Sequence, residues 1–80
     1  MQMKNELTHA EFMNHLSKIK EGCTKEQLLA EMGEPDELHG EHWYYHWEEP
    51  NGGYFDIACF IVKNGIVTKI EMQSGHRTVR

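Results

Sequence analysis

From Thr8 onward the apolar positions recur at helical spacing. Phe12, Leu16 and Ile19 stand four and three residues apart and share one face, with Met13 beside them. Thr8 and Glu11 form a Thr-x-x-Glu capping box, in which each side chain satisfies a free backbone donor of the first turn. Lys18 and Lys20 fall where the last turn is expected, suiting the negative end of the helix dipole, and Gly22 is expected to stop the helix. A second helix follows at once. Thr24 caps it with Gln27 in the reciprocal position, and Leu28, Leu29 and Met32 make its apolar side. Gly33 ends it, and Pro35 prevents continuation. A helix of about two and a half turns does not persist alone in water, so it must pack on something.

After a polar link, Glu34 to Gly40, the period changes to two. Trp43, Tyr45 and Trp47 point to one face of a strand, and His42, Tyr44, His46 and Glu48 to the other. Pro50, Asn51, Gly52 and Gly53 supply turn chemistry. The longest apolar segment runs from Tyr54 to Val62, rich in aromatic and β-branched residues. Asn64-Gly65 then signals a two-residue hairpin, because a type I′ turn needs positive φ at both central positions. Ile66 to Met72 return as a third strand. The pattern predicts an α+β fold of two layers, ααβββ, with a helical hairpin packed on a three-stranded antiparallel meander. Its 80 residues make one domain, here residues 8–73, between a flexible segment at 1–7 and a polar tail at 74–80.

Both sides of the middle strand are apolar. Phe55, Ile57, Cys59 and Ile61 lie on one side, Ala58, Phe60 and Val62 on the other, with Tyr54 at the strand's start. Two short helices cover only one face of such a sheet. The second face must stay partly exposed or meet another surface, and exposed apolar patches of that kind usually mark interaction sites. Trp43, Tyr45 and Trp47 are expected in the core, since a chain this small needs its aromatics for burial.

Composition narrows the partners. A hydrophobic fraction of 39% with 10% aromatics argues for a folded domain. The formal charge is −5, from 8 Lys and Arg against 13 Asp and Glu, which disfavours nucleic acid and suits a basic protein partner. The sole basic cluster is His76, Arg77 and Arg80, read as a frayed end. Cys23 and Cys59 are the two cysteines, without a CxxC, and Cys59 in its apolar run is expected to be a buried, inert thiol. No apolar stretch approaches the ~20 residues of a membrane span, and the N-terminal residues carry no apolar signal core. A reduced, cytoplasmic protein with no membrane contact is the expectation.

Chemistry-bearing groups are sparse. Of the 6 histidines, His42 and His46 share a strand face but stand about 13 Å apart, too far for one ion. His39 and His42 could converge across a turn, and with Cys23 they define an alternative reading, a metal- or redox-responsive regulator. His9 and His15 do not align on one helix face and are expected to be solvated, as are the acidic pairs beside the turns. With no glycine-rich phosphate loop and no nucleophile set beside a base, the expectation is a non-catalytic protein without cofactor or bound metal.

Ile19, Gly22, Thr24, Gly33, Pro35, Trp43 and Tyr45, followed by Val62-Lys63-Asn64-Gly65-Ile66-Val67, form the string I-x-x-G-x-T…G-x-P…W-x-Y…V-x-N-G-x-V. This string resembles the SmpA/OmlA small-lipoprotein domain, whose fold is shared with the beta-lactamase inhibitor protein. The resemblance covers roughly residues 16–72. It implies a non-catalytic domain that binds proteins through the sheet's free face and adjoining loops, which by position are His42, Tyr44, His46 and the loop from Glu48 to Tyr54. Lipoprotein members carry a secretion signal and a lipidated cysteine near the N-terminus. Neither is read in this sequence, so a cytoplasmic use of the same fold is expected. The functional expectation is therefore a soluble module binding a protein partner or a second copy of itself, with an inhibitor or immunity-type role as its specific form.

Overall fold

The computed structural model describes residues 8–49 and 53–76. In chain order the elements are α1 (His9–Ser17), α2 (Lys25–Met32), β1 (Glu37–His39), β2 (His42–Glu48), β3 (Tyr54–Lys63) and β4 (Ile66–His76). The strands form one antiparallel meander in the order β1-β2-β3-β4. The α+β class and the helical hairpin stand as expected. The sheet has four strands rather than three. The added strand, β1, lies inside the segment read as a polar link. Its three residues are all exposed and carry one apolar side chain, Leu38, so there was too little alternation to show a period. A two-residue turn joins it to β2, with Gly40 at the first turn position and φ +61°, the conformation a type II′ hairpin asks of that residue.

Both capping boxes form. The Thr8 and Thr24 hydroxyls accept from the backbone N–H of Glu11 and Gln27 at 3.1 Å, and both reciprocal bonds are made. Helix α1 ends at Ser17, short of Gly22, so Lys20 lies beyond it. Gly22, at φ +99°, turns the chain onto the sheet instead. There its N–H donates to the Val67 carbonyl at 2.7 Å, and the Val67 N–H donates back to Cys23 at 2.8 Å. Gly33 ends α2 at φ +78°, and both Asn64 and Gly65 take positive φ in the β3–β4 turn, as expected. Strand β4 runs on to His76, so residues 74–76 belong to the sheet rather than to a tail. Residues 1–7, 77–80 and most of the Pro50–Gly53 turn lie outside the described residues.

The helices cover one face. Phe12, Leu16, Ile19, Leu28 and Met32 pack on Tyr45, Trp47, Ala58, Phe60, Val62 and Val67, with Trp43 and Ile70 at the margin. Leu28, Tyr45, Phe60 and Val67 are wholly buried. Each such side chain contributes about 2–3 kcal/mol, which explains how two short helices hold. Buried Tyr45 donates its hydroxyl to the Gly33 carbonyl at 2.8 Å, tying β2 to the end of α2, and burial pushes its phenol well above the usual range. Among the described residues no helix is long and apolar enough to cross a membrane.

Candidate functional site

Register decides which side chains share the face that the helices leave bare. Glu37, Tyr44, Cys59 and Glu71 stand in one row across the sheet. His39, His42, Ile61 and Lys69 make the row at one end. His46, Ile57 and Gln73, then Glu48, Phe55 and Gly75, continue toward the other. The centre is thus an apolar spine on β3, Phe55, Ile57, Cys59 and Ile61, with polar and aromatic groups on both flanks. Cys59 is buried even here, and burial pushes its thiol up. The Tyr44 ring lies beside the imidazoles of His39 and His42, with ring centres 5.7 and 6.3 Å away. The ring of Phe55 lies over Gly75, so close that a β-carbon there would meet it at 2.8 Å. An open depression of about 280 Å³ is lined by His46, Trp47, Glu48, Phe55, Asp56 and Ile57.

Four of the five residues expected in a protein-binding face, His42, Tyr44, His46 and Glu48, come together on this bare face. Tyr54 does not. Its side chain sits on the helix side, against the core and the rings of Trp47, His9 and His76. The reason is parity: Tyr54 shares the phase of Asp56, Ala58 and Phe60, opposite to that of Phe55. The alternative set is not assembled either. His39 and His42 pair across the β1–β2 hairpin, whereas Cys23 lies beside β4 at the opposite edge of the sheet and packs on the core. Among the described residues no group of three potential metal ligands forms.

The structure also brings together a cluster that the sequence pattern does not announce. Asp56, 1% exposed on the helix side of β3, accepts hydrogen bonds from Ser74 Oγ, from Tyr54 OH at 3.1 Å and from His9 Nε2. Burial alone would raise its carboxyl. The bonds from Ser74, His9 and Tyr54, together with the imidazole's charge, outweigh burial and hold it below the usual carboxylate range. His9 lies against Trp47, ring centres 4.7 Å apart, so the start of α1 is clamped to β3 and β2. His9 is thus engaged with the sheet, while 42% of its side chain stays exposed. His15, 33% exposed, meets Glu31 through Nδ1 at 2.5 Å and joins α1 to α2. Hydrogen bonding from His15, and then the Lys18 charge, keep the Glu31 carboxyl low. The one sequence signal for the Asp56 cluster was a charged residue in phase with Ala58 and Phe60 in an otherwise apolar strand. Chemically, the cluster is a charge clamp. The Ser74 hydroxyl is directed at the carboxylate.

Comparison with family models, with curated proteins and with solved structures finds no match to this chain.

Proposed function

We propose that this chain is a non-catalytic protein-binding module whose bare sheet face takes up a basic surface of a partner protein. The observation that carries the reading is the apolar spine on β3, lying in a sheet whose two helices both pack on the other face. Chains this small rarely leave such a strip beside aromatic rings unless it meets something. Tyr44 and the histidines around it offer contact area with polar handles. Among the described residues Glu37, Glu48 and Glu71 share the face with Lys63 and Lys69, and the whole chain carries −5, so a cationic partner is attracted. The motif resemblance to SmpA/OmlA domains points the same way, and an inhibitor or immunity-type role is the form that this acidity suits best. The metal- or redox-responsive reading has no such support, because Cys23 and the two histidines sit at opposite edges of the sheet.

The test compares wild type with an Ile57→Lys/Tyr44→Ala variant as bait in cell extract, at low and at high salt. The expected result is a protein retained by wild type, released by salt and lost by the variant. Identical capture by both baits would overturn the reading.

A further inference from the structure

The chain's 6 histidines divide between the two faces of the sheet. His9 and His15 serve the helix layer through Asp56 and Glu31, and the His76 ring lies against Tyr54 on that side. His39, His42 and His46 all stand on the bare face. Register sets two of them directly beside the apolar spine. His42 is opposite Ile61 and His46 is opposite Ile57, and such cross-strand neighbours lie about 5 Å apart. His39 pairs with His42 across the β1–β2 turn, and its side chain is 68% exposed. A surface that buries the spine therefore covers these imidazoles as well.

The charges around them are close to balance. Strand β1 brings Glu37, whose carboxylate meets His39 Nε2 at 3.4 Å. Strand β2 brings Tyr44 and Glu48, β3 brings Cys59 and Lys63, and β4 brings Lys69 and Glu71. Asp36 reaches the edge of β2, where it accepts from the His46 backbone N–H at 2.8 Å. Among the described residues of this face the three glutamates outnumber the two lysines by one, or the carboxylates do so by two with Asp36 included. Imidazole is the side chain that ordinarily takes up its proton between about pH 8 and pH 5. Three imidazolium charges reverse the sign on either count. We infer that acidification through this range turns the bare face from anionic to cationic and releases the basic partner. The inference rests on the function proposed above and adds its regulation. A basic surface seated on the spine brings like charge onto each imidazolium and strips its water, so binding excludes the proton. Affinity then falls by up to about tenfold per pH unit for each proton excluded.

The experiment compares how strongly a cationic and an anionic nitroxide relax the amide protons of Ile57, Cys59 and Ile61, at about pH 8 and about pH 5.5. The expected result is that the cationic probe relaxes them more at the higher pH and the anionic probe at the lower. A His39→Gln/His42→Gln/His46→Gln variant should keep the cationic preference at both. A preference that holds its sign in wild type overturns the inference, and so does a reversal that the variant shares. A second measurement repeats the capture from cell extract by wild type at the same two pH values. Retention should fall at least about tenfold at the lower pH, the effect of one excluded proton over one pH unit. Equal retention at both values overturns the inference and leaves the proposed function standing. An absence of salt-sensitive capture at either value overturns the proposed function and the inference with it.

Discussion

The two faces of this sheet use the same strands for opposite ends. On the helix side, Tyr45, Phe60 and Val67 are wholly buried, and the one charge buried among the described residues, Asp56, is met by three donors. On the other side, Ile57 and Ile61 stay partly open among histidines, glutamates and Tyr44, with neither α1 nor α2 above them. The first face is closed and satisfied. The second has apolar area that neither α1 nor α2 covers, flanked by polar groups. Burial by the two helices is concentrated on one side of a single sheet, and the proposed function assigns recognition to the other.

The comparison breaks first if the helix side is less essential than it looks. Phe60→Ala empties the centre of the core and should cost about 4 kcal/mol, a large share of what an 80-residue domain holds in reserve. Urea unfolding followed by far-ultraviolet circular dichroism checks this, and a loss below about 1 kcal/mol would mean that the core is misassigned.

Asp56→Asn sharpens the same contrast and should cost about 3 kcal/mol, since it removes a buried charge and disorders three hydrogen bonds. Its pH signature has a definite sign. The folded-state pKa of Asp56 is lowered, so its stabilisation is complete above the unfolded carboxylate value near 4 and is lost as pH falls through the folded value. Wild type should therefore lose stability on acidification more steeply than Asp56→Asn. Parallel curves would show that the clamp contributes no linkage.

Much of this architecture was legible in the chain, for identifiable reasons. The capping boxes at Thr8 and Thr24, the stop at Gly33 and the turn at Asn64-Gly65 are local devices, and each forms as the residues dictate. Alternation placed Trp43, Tyr45 and Trp47 on the core side and His42, Tyr44, His46 and Glu48 opposite. What was hidden depended on distant partners. Strand β1 owes its existence to pairing with β2 rather than to any pattern of its own. Gly22 reads as a helix stop until the sheet is present to receive it. The Asp56 clamp joins residues 47 positions apart, so neither His9 nor Asp56 announces the other. As part of a loop Tyr54 is expected on the binding face, whereas strand parity turns it to the helix side.

The smallest expected effect is the most direct test of the central claim, that the bare face serves recognition and not folding. Ile57→Lys is introduced and its unfolding free energy is measured against wild type at one protein concentration. The expected result is a change of less than about 1 kcal/mol, as for substitution at a solvent-facing site. A loss of about 3 kcal/mol or more would contradict the claim, because Ile57 would then be packed within the folded chain and the face would not be free to receive a partner.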